Sequence, residues 1–288
     1  MVVVSFDRRR LLRGALPAAV VVATTMIGVS CGGSGSALGD ESSPAAAPCE
    51  GMRVRRLSGR VLDIHNQPTR SRFFSVCGNL CVKGELANDG SFLYDKQFCF
   101  LGARPAFFFH GGDNESDLSL DFTHEGAADV DVRLEKTLYV LPVSEMRKLT
   151  LDPRIDQSLA DGAGFELKFA ARTVEPGLAA WIAVGAVPRD KYPPIADVET
   201  LTALYALHPA EPVFAAPASV TFPNSQNLPP GTAVDILAIG TTAWALGPHP
   251  GALGRAAGGR VTGDGAAVVS NPGEGLMGVA WVGYRPTQ

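Results

Sequence analysis

The chain has 288 residues, a formal net charge of −4 and 46% hydrophobic residues. An acidic chain argues against nucleic-acid binding, because phosphate contacts need clustered Lys and Arg. Its 32 glycines and 21 prolines follow no fixed period, which argues against collagen and a helical bundle. Such scattered turn residues favour short strands, so the sequence predicts an all-β protein.

The first 30 residues have the layout of a signal peptide, with a basic segment, a short apolar stretch and small residues at its end. Arg8 and Arg9 resemble the paired arginines of a twin-arginine export signal; an arginine-rich Sec signal is the alternative. Cys31 stands where a bacterial lipobox places its lipidated cysteine, although Gly28 departs from that motif. We therefore expect export and a lipid on Cys31 that anchors the protein to a membrane of the cell envelope.

Residues 31–50 are predicted to form a disordered tether, because they are rich in Gly and Ser and then in Pro and Ala. No later run is long and apolar enough to span a bilayer. The remaining chain is predicted to form two tandem β-sandwich-like domains. The first covers residues 51–135, and the second covers residues 136–288.

The first of these domains begins with strand signals at residues 59–63 and 73–77. Residues 88–91, with the sequence NDGS, form a strong hairpin turn signal between strands at 81–86 and 92–99. In a hairpin centred on this turn, the first residue of one strand faces the last residue of the other. The two residues at these positions are both cysteines.

Four cysteines follow Cys31 in the chain: Cys49, Cys77, Cys81 and Cys99. An even number in an oxidising compartment predicts two disulfides, and four cysteines allow three connectivities. The hairpin register favours Cys81–Cys99, which leaves Cys49–Cys77. No metal site is predicted, because no second Cys or His pair has ligand spacing. Twin-arginine export of a folded protein would require these bonds to form late.

Three short segments resemble a known family. They are GRVLD at 59–63, QP at 67–68 and DGSF at 89–92, and they look like the opening strand, turn and hairpin of carboxypeptidase-regulatory-like domains. Those domains are transthyretin-like β-sandwiches found on bacterial surface proteins. The resemblance implies a non-catalytic accessory module of a bacterial cell-surface lipoprotein. It implies no peptidase activity, since no zinc-peptidase motif is present.

The end of the first domain combines aromatic and acidic residues. The run Phe107-Phe108-Phe109 is predicted to fill a sandwich core rather than to form a binding platform. The acidic segment 111–117 is predicted to be a solvated loop, with a Ca²⁺ loop as the alternative. No cofactor is predicted.

In the second domain, apolar residues alternate with polar ones at 165–169, as in a half-buried strand. Further strands are predicted at 179–187, 201–207, 218–222, 234–239, 258–262, 267–270 and 279–284. A helix over 198–207 is the rival interpretation of one of them. The segment 214–224 resembles the β-sandwich domain shared by ankyrins and netrin receptors, and segments 259–265 and 271–275 resemble the tails of predicted surface lipoproteins.

The sequence marks no catalytic centre. It contains no Gly-x-Ser-x-Gly elbow, no phosphate loop and no distinguishable carboxylate pair. His65, His208 and His249 lie next to or near proline-containing turns and are interpreted as loop residues.

Tryptophans offer the other candidate chemistry. Trp181, Trp244 and Trp281 are interpreted as packing residues, with a glycan-stacking platform as the alternative. We therefore predict a lipid-anchored, non-enzymatic envelope protein that acts as a binding, adhesion or scaffolding module for envelope proteins. The alternative is a carbohydrate-binding protein, favoured if Trp244 and Tyr284 lie exposed on one flat face. A hydrolase with an unmarked carboxylate pair is the third option.

Overall fold

Short strands joined by turns make up most of the described chain. A computed structural model describes residues 49–100, 104–122, 130–174, 180–210, 212–241 and 248–287. The first strands in chain order are β1 (Met52–Asp63), β2 (Phe73–Cys77), β3 (Cys81–Glu85), β4 (Ser91–Tyr94), β5 (Phe98–Phe100), β6 (Ala106–His110), β7 (Leu118–Asp121), β8 (Val130–Arg133) and β9 (Leu138–Val140). The later ones are β10 (Arg147–Thr150), β11 (Gln157–Ala160), β12 (Glu166–Phe169), β13 (Trp181–Ala186), β14 (Ala203–His208), β15 (Val213–Pro223), β16 (Ala233–Ile239), β17 (Leu253–Val261), β18 (Ala267–Ser270), β19 (Leu276–Gly278) and β20 (Val282–Pro286).

Strand β1 is the centre of a five-stranded sheet. Strands β4 and β5 pair with it in antiparallel fashion, and β8 and β9 pair with it in parallel fashion. A strand of 12 residues is long enough to take two partners in succession on each side. Its residues Val54, Leu57 and Val61 are fully buried, and they anchor one end of the main core.

A four-stranded antiparallel sheet has the order β3-β2-β6-β7. Its two faces differ because side chains alternate along each strand. Phe74 and Val76 of β2 and Phe107 and Phe109 of β6 point into the main core. Phe108 lies on the opposite face, where it packs with other side chains of the same two strands. The aromatic run is therefore buried, as predicted, but it serves both faces of the sheet.

The largest sheet follows the path β10-β13-β14-β20-β16-β17-β18-β15-β12-β11, and β19 also pairs with β15. The side chain of Gln157 lies between its two end strands. Its Nε2 donates to the carbonyl of Thr150 at 3.0 Å, and its Oε1 accepts from the N–H of Asp152 at 2.7 Å. A side-chain amide thus bridges β11 and the end of β10.

The central strands of this sheet are buried on both faces. On β14, Leu204 and Ala206 belong to the main core, whereas Tyr205 and Leu207 belong to a second core. Strands β13 and β16 divide their side chains between the two cores in the same way. Buried apolar side chains on both faces explain the continuous apolar runs in these strands. The second core contains a cluster of rings from Phe165, Tyr205, Phe222 and Tyr284.

The all-β fold is confirmed, but two tandem domains with a boundary at residue 136 are not. Residues 47–288 form one compact unit. Strand β9, which follows the expected boundary, pairs with β1. The main core joins residues from both expected domains, because β13, β14 and β16 contribute one face each to it.

The predicted turn at 88–91 is present. The N–H of Gly90 donates to the carbonyl of Ala87 at 3.0 Å. Gly90 has a φ of +80°, and an added Cβ would lie 2.2 Å from the carbonyl oxygen of Val61, so only glycine fits this position. The predicted ladder beyond this turn is wrong, however. Apart from a single bridge between Leu86 and Phe92, its two arms enter different sheets.

The disulfide pairing expected from that ladder is wrong for the same reason. Strand β3 pairs with β2, so that Cys81 stands directly opposite Cys77, and these two form one disulfide. Strand β5 runs beside the start of β1, which brings Cys99 to Cys49, and these two form the other. All four predicted cysteines are bonded, but the partners are exchanged.

The segment with two rival interpretations is a strand. Residues Val198–Thr200 form one turn of 3₁₀ helix, and β14 follows from Ala203. The helical alternative over 198–207 is therefore wrong beyond its first turn. Its apolar residues recur without a gap because both faces of β14 are buried.

Candidate functional site

A pocket of about 350 Å³ lies where the outer face of the four-stranded sheet meets β13 and the end of β14. Apolar side chains and a few polar ones line it, among them Phe108, Leu118, Trp181, Pro209, His110, Asp117, His208 and Thr241. Its volume falls at the lower end of the range of small-molecule sites, which begins at about 300 Å³. The pocket is large enough for one compact ligand.

Asp117 and His208 hold the two sides of the pocket together. His208 Nδ1 lies 3.1 Å from both the backbone nitrogen and Oδ2 of Asp117. Its Nε2 lies 2.6 Å from the carbonyl oxygen of Gly112, to which it donates. A neutral imidazole accepts the Asp117 N–H at Nδ1, and a protonated one donates from Nδ1 to the carboxylate. Either form links β14 to the loop before β7.

The carboxylate of Asp117 has a pKa below its ordinary value. Burial raises the pKa, but the hydrogen bond and charge of His208 lower it, and so do the N–H groups of Ala210 and Gly111, each 2.9 Å from the carboxylate. These donors together outweigh the loss of solvation. Asp117 is therefore an ionised, fully engaged structural group rather than a free acid or base.

Trp181 lines the pocket from the start of β13, and its indole has cationic and aromatic neighbours. Lys148 Nζ lies 3.6 Å from the centroid of a Trp181 ring, and the His208 ring centroid lies 5.3 Å away. Lys148 is exposed, so its ammonium can leave the indole without unfolding anything. Trp281 has a different role: it is 3% exposed, and its Nε1 donates to the carbonyl of Asp117 at 2.8 Å.

Thr241 contributes a polar atom that has no hydrogen-bond partner among the described residues. It is 7% exposed, and its Oγ1 makes no hydrogen bond within the described residues. Leaving a buried hydroxyl unpaired costs about 1–3 kcal/mol. Thr241 lines the pocket but its Oγ1 is shielded from solvent, so a bound molecule would pair with this hydroxyl once the side chain rotates toward the pocket.

A second polar arrangement lies on the same face of the four-stranded sheet. Ser75 Oγ lies 2.7 Å from His110 Nε2 and 3.3 Å from Cys77 Sγ. Ser75 is 2% exposed, whereas His110 is exposed at the end of β6. A hydroxyl so deeply buried is poorly placed to attack a substrate.

Two predictions about this region are wrong. The acidic segment 111–117 is not a uniformly solvated loop, because Glu115 is 4% exposed and accepts the N–H groups of Arg70 and Ser71 at 2.7 and 3.0 Å. His208 is not a loop residue but the last residue of β14, and it is 1% exposed. The N–H groups of Arg70 and Ser71 hold the Glu115 carboxylate inside the fold, and the buried imidazole of His208 does the same for Asp117.

The other predicted site residues are distributed as follows. Arg8, Arg9, Cys31 and Trp244 lie outside the described residues. Tyr284, the second member of the predicted glycan platform, is fully buried, and its hydroxyl donates to the carbonyl of Pro223 at 3.0 Å. Within the described ranges, no three His, Cys, Asp or Glu side chains are grouped to hold a metal ion. No helix among the same residues is long and apolar enough to cross a membrane.

Sequence reasoning missed Ser75, Asp117 and Thr241 as members of polar sites. Ser75 and Thr241 carry no motif, because the residues around each of them come from distant parts of the chain. Asp117 had a weak signal, since it lies in the acidic segment that follows the aromatic run. No protein-family model, curated protein or solved structure matches the chain.

Proposed function

We propose that the protein is an exported, non-enzymatic binding module that a lipid on Cys31 tethers to a membrane of the cell envelope. The basic leader with Arg8 and Arg9, the small residues before Cys31 and the Gly/Ser-rich spacer after it support this proposal. A rigid β-structure at the end of such a spacer is suited to display a binding surface away from the membrane. The resemblance of segments within 59–92 to carboxypeptidase-regulatory-like domains of bacterial surface proteins also supports the proposal.

The ligand site of this module is the pocket between the four-stranded sheet and β13–β14. The observation that carries this assignment is the hydroxyl of Thr241, a residue of the pocket wall, which no described residue hydrogen-bonds. A ligand that supplies a hydroxyl or carbonyl group would pair with Oγ1 and remove the cost of its burial. The apolar surface of Phe108 and Pro209 would cover the rest of the ligand.

Carbohydrate is the ligand class that these walls favour. A sugar ring combines many hydroxyl groups with an apolar face, and the indole of Trp181 at the pocket edge offers a surface for that face. Lys148 occupies a ring face of Trp181 in the free protein, so binding would displace its ammonium. An envelope protein that docks a side chain into the pocket is the second candidate.

Calorimetric titration of the purified full-length protein with mono- and disaccharides tests the pocket. Thr241→Val removes the hydroxyl and keeps the shape, and we expect it to weaken binding about tenfold, the effect of one hydrogen bond. Thr202→Val is the matched control, because Thr202 Oγ1 is also buried without a partner in the described part of the chain but does not line the pocket. Equal affinities of wild type and Thr241→Val would disprove the assignment.

Membrane fractionation tests the anchor separately. Cys31→Ala removes the only atom to which the lipid could be attached at this position, so we expect the protein to move from the membrane to the soluble fraction. Cys31→Ala that stays with the membrane would show that Cys31 is not the anchor. The ligand titration does not depend on this result.

A further inference from the structure

The disulfide between Cys77 and Cys81 lies at the surface, in the hairpin of β2 and β3. Cys81 is exposed, whereas Cys77 is 5% exposed. The bond closes only four residues, and the two cysteines already face each other in the strand ladder. Closing so short a loop restricts the unfolded chain little, so stabilisation alone is a weak explanation for this bond.

A chain of hydrogen bonds connects the buried sulfur of this disulfide to solvent. Cys77 Sγ lies 3.3 Å from Ser75 Oγ, and Ser75 Oγ lies 2.7 Å from Nε2 of the exposed His110. In the ladder, Ser75 stands opposite Phe108 of β6, two residues before His110. Residues two apart share a face, so the ladder itself aligns the three groups.

We propose that Cys77–Cys81 is a redox-active disulfide that oxidises dithiols of a polypeptide partner. A partner thiolate attacks the sulfur of the exposed residue Cys81, the Cys77–Cys81 bond breaks, and Cys77 leaves as a thiolate. The Ser75 hydroxyl passes a proton to this sulfur and receives one from His110, which is reprotonated from water. A second partner thiolate then attacks the partner sulfur of the mixed disulfide and releases Cys81.

The exchange is balanced in electrons and protons. The partner dithiol loses two electrons and releases two protons to water as it becomes a disulfide. Cys77 and Cys81 gain the two electrons and become thiols, Cys77 taking its proton through Ser75 and Cys81 taking its proton from water. Attack at Cys81 is favoured by access, and departure of Cys77 is favoured by the hydroxyl that hydrogen-bonds its sulfur. Leu80, which is 53% exposed in the turn beside Cys81, offers the partner an apolar contact.

Graded reduction of the purified full-length protein by glutathione tests the proposal. Alkylation followed by peptide mass spectrometry reports each disulfide separately, and Cys49–Cys99 serves as an internal control. We expect Cys77 and Cys81 to be labelled while Cys49–Cys99 stays oxidised and the circular dichroism remains that of the folded protein. Reduction of both disulfides only upon unfolding would overturn the proposal, whatever the variants do.

Variants at the two ends of the relay test its role. Ser75→Ala and His110→Gln should each slow reduction of Cys77–Cys81 about tenfold, the effect of one hydrogen bond to a charged leaving sulfur. Ser270→Ala is the control, because Ser270 is another buried serine, 9% exposed, that bonds the N–H of Val220. Unchanged rates in folded Ser75→Ala and His110→Gln would exclude the relay. Should Ser75→Ala not fold, the exposed His110→Gln decides the relay alone.

Discussion

The two disulfides show how differently the same bond acts in two regions of one molecule. Cys49–Cys99 joins residues 50 apart and fixes the entry of β1 beside β5. Cys77–Cys81 joins residues 4 apart at the tip of a hairpin whose ladder already holds them together. On the chain-entropy relation, the first contributes about 4 kcal/mol and the second at most about 2 kcal/mol. Only the first is explained by stability.

A non-covalent link closes an even longer separation than either disulfide. The contacts between Asp117 and His208 join residues 91 apart, and they connect the four-stranded sheet to the largest sheet. Loop-closure entropy grows slowly with separation, so a few buried hydrogen bonds can do what a disulfide does elsewhere. The comparison therefore predicts how much the free energy of unfolding falls when each of these three links is removed.

Removal of Cys49–Cys99 should have the largest effect. The double variant Cys49→Ala/Cys99→Ala should lower the free energy of unfolding by about 4 kcal/mol, because the unfolded chain gains the freedom of a 50-residue loop. Urea denaturation of the two proteins measures this difference. A loss below about 1 kcal/mol would show that strand pairing alone holds the start of β1.

Asp117→Asn should have the next largest effect, about 2–3 kcal/mol, because the amide cannot accept all the donors that face the carboxylate. The measurement is urea denaturation at neutral pH. Asp113→Asn is the control, since Asp113 is exposed in the same loop, and it should cost less than about 0.5 kcal/mol. Equal losses in both variants would assign the effect to the loop rather than to the link.

The same variant predicts a pH dependence. Because the pKa of Asp117 is lowered in the folded state, its carboxylate stabilises the fold fully above the ordinary value of about 4. This contribution is lost as the pH falls through the lower, folded-state pKa. The stability difference between wild type and Asp117→Asn should therefore shrink upon acidification below pH of about 4.

Removal of Cys77–Cys81 should have the smallest effect. Cys77→Ala/Cys81→Ala should cost at most about 2 kcal/mol, since the strand ladder already restricts these residues. Thermal denaturation of this variant and of Cys49→Ala/Cys99→Ala under the same conditions shows which of the two loses more stability. A larger loss than that of the long-range disulfide would reverse the comparison and make the hairpin bond structural.

Local features of the fold were predictable from short stretches of sequence. The turn at 88–91 was predictable because it needs a residue with positive φ close to the carbonyl oxygen of Val61, and Gly90 meets that need. Strands such as β2 and β18 have the predicted bounds, because their apolar and β-branched residues favour an extended chain. The burial of the aromatic run at 107–109 also followed from composition.

Pairing partners were not predictable, and the error in the disulfides shows why. A turn signal predicts where the chain reverses. It does not predict whether the two strands beside the turn pair with each other or with strands that precede them in the chain. Here β1 is long enough to take β4 and β5, while β3 finds β2. Non-local competition of this kind decided which cysteines meet.

By itself, the sequence determined that this chain folds into short strands and that its four described cysteines pair. The export and lipidation signal in its first 31 residues stays a prediction. Only the tertiary structure decided which strands pack around a common core. Because β13, β14 and β16 bury both faces, one core joins the two expected domains. The same packing carries Thr241 and His208 to the four-stranded sheet, where they form a pocket with residues that lie about a hundred positions away in sequence.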